Sequence, residues 1–426
     1  MNKHRILNIN FNYSTYGIWF WIGLLMAMPI LRIPLGDTFL GLYNIPFFGF
    51  FILKFVQQKY FLIHKDLKRV YFFAISLAIS EIFSWTLVDK DWYMLSLRAA
   101  LKMIMVIFLI LMNSNDVLLK IRKDLLAGIK LAAIVNFVWI IFEIIFWKIG
   151  NIMLNTVVFG VKTTYEGTNN ITYTGLSWER ADTVLVFAIV TALSRNIKIR
   201  LVCLIGTILT SSRTGLLMLV IIYAYEIVDF IKKRKGSLKI KKETIIKAFI
   251  IVMGIFLIFL LKSNLVKYVT NNLNYIIDRI KGFIYNVNEY SVSEIDPHKL
   301  YYMWLPYTLK HSNLLQLFFG SGTRISGWLY TAFFGRFQGK GPWSIECDFI
   351  SILLGNGLLG LLVYYSMLII GYFRCRDKQY KAILFMLIIT SFTYQFYTST
   401  LGLILIIILQ VPSLESYKVL EKQDIG

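Results

Sequence analysis

Apolar runs of roughly 17–25 residues recur along the whole chain, the length a helix needs to cross the hydrocarbon of a bilayer. Hydrophobic residues make up 57% of the 426 positions and aromatics 16%, with a mean hydropathy of +0.63; soluble domains hold about 45–50% apolar residues. The expectation is an all-α polytopic membrane protein, a single integral membrane domain over residues 1–426. The N-terminal MNKHRILNIN precedes an apolar run that meets Pro29 and Arg32 without a small-residue cleavage site, so it reads as an uncleaved first helix.

Twelve apolar segments are expected, near 14–31, 38–57, 70–88, 99–113, 126–149, 182–194, 199–211, 213–231, 244–262, 347–373, 381–396 and 398–413. The net charge of +21 is distributed between them rather than in a separate basic domain, which argues against nucleic acid as a partner. KYFLIHKDLKR (59–69), KIRKD (120–124), RNIKIR (195–200), KKRKGSLKIKK (232–242) and RCRDKQYK (374–381) are basic, whereas 89–98 and 151–180 carry few cations for their length. By the positive-inside rule this alternation puts both termini in the cytoplasm. It also puts residues 263–346 outside, as one large extracytoplasmic loop. That loop is rich in Tyr, Trp, Phe and Leu, and HKLYYMWLPYTLKHSNLLQLFFG (298–320) reads as short amphipathic helices broken at Pro306. Left in water, such aromatic density would form a large apolar patch, so a lid packed against the helices is expected.

Among the function classes, ATP-driven and metal-dependent chemistry find no support. There is no Walker A, GxGxxG or HExxH pattern, and His4, His64, His298 and His311 stand at no metal-ligand spacing. Neither a cofactor nor a metal is expected. Cys203, Cys347 and Cys375 form no CxxC and no disulfide framework.

ILTSSRTGLL (208–217) keeps an arginine between two apolar runs. In the topology above it is a hairpin turn at the outer face. Ser211 and Ser212 are good N-cap residues for the next helix, whose free N–H groups and dipole favour an anion. Arg213 adds a permanent, fork-shaped cation, so the turn reads as a phosphate site; the alternative is an arginine snorkelling to head groups. Arg32, Arg98 and Arg180 also fall at outer helix ends. Arginines converging there point to a polyanionic lipid head group, a pyrophosphate being the obvious one.

Three stretches together resemble the O-antigen ligase and polymerase family of lipid-linked glycan transferases. They are TYTGLSWERADTVLVF (172–187), TSSRTGLLMLV (210–220), and the span from LFFGSG (317–322) to IECDFISILLGNGLLGLLVYY (345–365). Where the ligase branch commonly opens the helix after the large loop with a histidine, this chain has Glu346, Cys347 and Asp348, which is similar to the polymerase branch. The resemblance implies transfer of a growing glycan from undecaprenyl pyrophosphate to a sugar hydroxyl of another lipid-linked O-antigen repeat unit, at the outer face of a bacterial inner membrane. Arg213, with Arg180 or Arg324, would then hold the pyrophosphate together with Ser211 and Ser212. Glu346 or Asp348 would orient or deprotonate the acceptor, or simply cap the following helix. Glu179 reads as an ion-pair partner or a solvated acid. Gly355, Gly357 and Gly360 read as close-packing positions. Implied partners are the lipid-linked substrates, membrane lipids and a chain-length regulator. Competing readings are an O-antigen ligase, a capsule or exopolysaccharide polymerase, and, in a different class, a lipid-linked oligosaccharide flippase.

The charge alternation makes a direct prediction. Single-cysteine labelling or reporter fusions at residue 290 report the outside, and those at 237 and 377 the cytoplasm. A cytoplasmic signal at 290 would put the aromatic loop on the wrong side for lipid-linked, already exported substrates.

Overall fold

The computed structural model describes residues 17–35, 38–57, 67–87, 90–160, 173–177, 180–233, 302, 305–306, 308–323, 345, 347–397 and 399–411. The expected segment 244–262 and most of the 263–346 loop lie outside them. The described chain is mostly helical. Its helices are α1 (Ile18–Met26), α2 (Asn44–Gln57), α3 (Lys68–Leu87), α4 (Lys90–Leu111), α5 (Asn115–Gly150), α6 (Leu154–Phe159), α7 (Arg180–Leu193), α8 (Ile197–Leu209), α9 (Arg213–Lys233), α10 (Leu314–Phe319), α11 (Asp348–Arg374), α12 (Lys378–Thr390) and α13 (Thr400–Ile408). A two-stranded antiparallel hairpin, β1 (Arg32–Leu35) and β2 (Thr38–Gly41), is the departure from the all-α expectation. The sequence joining the strands, Gly36-Asp37, is a two-residue hairpin signal that the apolar run around it hides.

Local chemistry sets the helix ends. Asn196 caps α8 through Lys198 N, Asp377 caps α12 through Gln379 N and Tyr380 N, and Ser399 caps α13 through Gly402 N. Asn313 and Gln316 form a reciprocal capping box that starts α10. In the described part of the loop, Leu305, Pro306 and 308–311 are helical and the interruption falls at Ser312–Asn313. The capping box, not the proline, therefore sets that boundary. A 36-residue α5 is closed by Asn151 in the left-handed conformation, its N–H donating to Trp147 O and the Ile152 N–H to Phe146 O.

By length and composition α5 and α11 are candidate membrane spans, α11 only when its residues are counted across the break at Gly357. Apolar side chains also cover outward faces: Trp85 on α3 is 69% exposed, Val220 on α9 62% and Phe373 on α11 71%. Helices apolar on both faces are the kind that lipid surrounds. Inside, Tyr364, Tyr397, Phe73, Phe187 and Phe396 are among the largest fully buried side chains. Between α1 and α5 the backbones nearly touch. A Cβ on Gly128 would lie 2.1 Å from the Phe20 carbonyl oxygen, and one on Gly23 would lie 2.4 Å from that of Leu125.

Helix α11 is not straight. Along an unbroken helix sixteen residues span about 24 Å, yet Tyr364 Oη donates to Asp348 Oδ2 at 2.5 Å. The Phe349 and Tyr365 rings lie 6.2 Å apart, and a Cβ on Gly360 would be 3.7 Å from Ile352 Cγ2. The chain therefore folds back at Gly357, where φ is +68° and ψ −172°. Two helical limbs, 348–356 and 358–374, share one apex.

A broken helix exposes carbonyls, and the loop 320–323 answers them. Ser321 N donates to Leu354 O at 3.0 Å and Gly322 N to Gly355 O at 2.8 Å. Ser80 Oγ of α3 also donates to Gly355 O, at 2.7 Å. The ring of Phe319 stacks on Phe83 at 4.4 Å, and Thr323 N donates to Glu81 Oε1 at 2.8 Å. The GSG of the loop and the GNG of α11 are thus two halves of one close backbone contact. Gly355 packs against Gly322 of the loop, whereas Gly357 packs against the C-terminal end of helix α10 at Phe318 and Phe319.

That contact predicts a sharp contrast between two glycines. At Gly357 a Cβ would sit 2.4 Å from the Phe318 carbonyl in a left-handed backbone, whereas at Gly49 nothing lies within 4 Å. Gly357→Ala should destabilise the protein by at least about 2 kcal/mol, read as a lower midpoint in a thermal-unfolding assay of detergent-solubilised protein. Gly49→Ala, in the middle of α2, should leave the midpoint unchanged or slightly raised.

Candidate functional site

Helices α7, α8, α9 and α12 share two well-marked ends. At one, Gln379 Nε2 donates to Leu193 O at 3.2 Å, Arg200 Nε to Ser194 O at 2.8 Å, and Lys378 Nζ to Asp229 at 3.0 Å. Arg200 also pairs with Glu226 through two hydrogen bonds. These residues belong to the basic connections. At the other end, Arg180 Nη1 reaches Ser211 O at 3.3 Å and Tyr394 Oη donates to Asp182 Oδ1 at 2.8 Å. With 14 residues in α7 and 13 in α8, the two ends stand about 20 Å apart.

The arginine turn occupies the second end. Ser212 is the N-cap of α9, its hydroxyl accepting Gly215 N at 3.2 Å. Ser211 is not a cap: it lies outside the helix with φ +53°, one of two described non-glycine residues with positive φ. That conformation costs a residue with a Cβ about 1–2 kcal/mol, and it turns the Ser211 carbonyl to Arg180. The Ser211 hydroxyl is buried and has no hydrogen-bond partner. Arg213 follows as the first residue of α9 and is partly exposed.

The stretch TGLS positions Arg180 from below. Glu143 of α5 accepts Gly175 N at 2.9 Å and Asn155 Nδ2 at 2.8 Å. Asn136 Oδ1 accepts Leu176 N at 2.8 Å, while Thr183 Oγ1 meets both Thr174 O and Ser177 Oγ. Gly175 has φ +65°, and a Cβ there would meet Asn136 Oδ1 at 2.8 Å. The glycine and hydroxyls of this motif are consumed in holding the approach to α7. Glu143 and Asn136 supply the grip from mid-helix positions that the sequence reading passed over.

Asp348 is the first residue of α11 and is fully buried. Its Oδ1 accepts Phe396 N at 2.7 Å and Tyr397 N at 3.0 Å, and its Oδ2 accepts the Tyr364 hydroxyl. Its own N–H donates to Tyr394 O at 3.2 Å. The carboxylate therefore clamps 394–397, the irregular segment between α12 and α13. That segment carries the Tyr394 hydroxyl to Asp182 in the first turn of α7. Asp182 is partly exposed, and Tyr394 supplies the single side-chain hydrogen bond to it among the described residues.

The structure thus joins Arg180, Ser211, Ser212 and Arg213 at one helix end and links them to Asp348 through Asp182 and Tyr394. Glu346, Arg324 and Glu179 lie outside the described residues. Arg32 sits on β1 and Arg98 is exposed on α4. Asp182 and Tyr394 were missed in the sequence because neither stands in a recognisable spacing; the only signal was an acid two residues after Arg180. Chemically, the turn offers two guanidiniums, a helix N-terminus and an unpartnered hydroxyl to an anion. Beside it stands a partly exposed carboxylate.

The two aspartates should behave differently on truncation. Asp348→Ala strands two buried amides and a buried hydroxyl, and folded protein should fall by about 3 kcal/mol of stability or more. Asp182→Ala should keep near-normal abundance, judged by size-exclusion profile and thermal midpoint of the purified protein. No protein-family model and no curated protein matches the chain, so its chemistry rests on these residues themselves.

Proposed function

We propose that the protein is an integral membrane glycosyltransferase of the O-antigen polymerase type. It moves a growing glycan from undecaprenyl pyrophosphate to a hydroxyl of the next lipid-linked repeat unit at the outer face of a bacterial inner membrane. The observation that carries this reading is the arginine turn: Arg180 crosses from α7 to the Ser211 carbonyl, so two arginines flank one helix start beside a buried hydroxyl with no hydrogen-bond partner among the described residues. Fork-shaped cations and free amides at a helix N-terminus suit a pyrophosphate.

Helix length supports a lipid-borne substrate. Helices α7, α8 and α12 are about 20 Å long, with the 21-residue α9 running on past Asp229 at the basic end, while the hydrocarbon layer is about 30 Å thick. With the basic ends at the cytoplasmic boundary, the arginine turn lies recessed in the outer leaflet. A diphosphate drawn into such a recess leaves water behind, where charge stabilisation by fixed donors is stronger. The leaving pyrophosphate gains negative charge as the glycosidic bond breaks, and Arg213 and Arg180 are placed to stabilise it without ATP. Helices with apolar outward faces and the packing of Tyr302 and 314–323 on α3 and α11 agree with a membrane enzyme carrying a folded outer loop.

Arg213 gives the test. Arg213→Ala should lower chain polymerisation at least about 100-fold at unchanged protein abundance. Arg213→Lys should also lose most of it, because the charge remains but the bidentate fork does not. In cells, loss should leave single repeat units attached to lipid A core. Core without any repeat would mark a ligase instead, and single units stranded on the cytoplasmic leaflet a flippase. Long glycan ladders in Arg213→Ala would refute the pyrophosphate site.

A further inference from the structure

We propose that Asp182 is the general base that takes the proton of the acceptor sugar hydroxyl, and that Asp348 acts on it only through Tyr394. The proposal rests on the glycan-transfer reading above. It starts from the difference between two carboxylates a few residues of chain apart in space. Asp348 is wholly buried with both oxygens occupied, one by two backbone amides and the other by Tyr364. A group so engaged has no face for a substrate. Asp182 is partly exposed, and its one side-chain bond, from Tyr394, goes to Oδ1. Oδ2 is left to meet an incoming hydroxyl.

Position supports the same assignment. Asp182 stands two residues after Arg180 in the first turn of α7, and Arg180 is bonded to the arginine turn. A base there lies beside the diphosphate it serves. Tyr394 fixes the carboxylate's rotation, and Tyr394 is itself fixed at two points: its carbonyl accepts Asp348 N, and the following Phe396 and Tyr397 amides are held by the Asp348 carboxylate. Asp348 is therefore a positioning residue.

The step balances simply. The acceptor hydroxyl oxygen forms a bond to the anomeric carbon of the donor glycan while its proton passes to Asp182 Oδ2. The bond from that carbon to the phosphate oxygen breaks, and undecaprenyl pyrophosphate leaves with the electron pair. Asp182 then returns the proton to water.

The test uses purified full-length enzyme with lipid-linked repeat units as both donor and acceptor. Asp182→Asn should retain the labelled lipid-linked unit as the parent does, yet polymerise at least about 100-fold more slowly. Asp182→Ala should be equally slow and regain at least ten-fold on adding formate, which can enter the vacated space as a base. Tyr394→Phe should slow the reaction roughly ten-fold and gain nothing from formate, because its carboxylate is still present. Polymerisation by Asp182→Asn within ten-fold of the parent overturns the proposal. So does a formate-insensitive Asp182→Ala of normal abundance, since a purely structural acid would not be rescued by a diffusing one. Retention of the lipid-linked unit by Arg213→Ala, with normal chain growth, would instead strike the glycan-transfer reading on which the proposal stands.

Discussion

Backbone amides that lie inside an apolar bundle must find acceptors within the protein, because neither lipid nor a dry core supplies them. This constraint organises the chain. At several places where the backbone leaves a helix in the interior, a polar side chain on a neighbouring helix accepts its N–H. Glu81 of α3 takes Thr323, Glu143 of α5 takes Gly175, Asn136 takes Leu176, and Asp348 takes Phe396 and Tyr397. A hydrogen bond typically contributes roughly 0.5–1.5 kcal/mol net, and leaving such a buried amide bare costs about 1–3 kcal/mol. The buried acids are therefore the places where irregular segments are pinned to regular ones.

The same constraint ties the segment 314–323 to α11. Folding α11 back at Gly357 brings the two limbs into contact and frees the carbonyls of Leu354 and Gly355. Those carbonyls need donors, and the amides of Ser321 and Gly322 provide them. Glycines on both sides let the two backbones approach closely enough. The fold-back also sets the depth of Asp348. Because the first limb runs beside the second, Asp348 lies level with Tyr364 rather than at the outer tip, within reach of 394–397.

Much of this organisation was legible in the sequence, and the remainder had identifiable reasons to be hidden. Helical segments with long apolar runs, such as α3, α5 and α9, follow from length and composition, and the basic connections mark one end of α7, α8 and α12. Hydropathy could not distinguish a straight 27-residue α11 from two limbs, since apolar residues fill both. The signal was the GNG triplet, which admits both a close packing and a left-handed residue. The SSRTG turn was readable as an anion site because hydroxyls and an arginine adjoin a helix start. Which serine caps was not readable: Ser212 does, and Ser211 is left in a left-handed turn with its hydroxyl unpartnered. Asp348 was singled out for its place before a helix, a place that fits a cap, a base and a clamp equally well until its three donors are seen.

A functional acid and a structural acid can be told apart here by what they bind. Glu81, Glu143 and Asp348 each accept at least one backbone amide, and their removal would free a segment of chain. Among the described residues Asp182 accepts only a tyrosine hydroxyl, so the described fold asks nothing of it that a neutral side chain could not replace. Retaining a carboxylate in an otherwise apolar environment costs free energy unless backbone or charge partners offset it. In Asp182 that cost is offset neither by a backbone amide nor by an ion pair among the described residues. It is met instead by an elaborate indirect support, from the Asp348 clamp through 394–397 to one oriented hydroxyl. An acid held by its rotation rather than by its neighbours' needs is positioned for what binds beside Arg180 and Arg213, which on the glycan-transfer reading proposed above is an anion carrying a group to transfer.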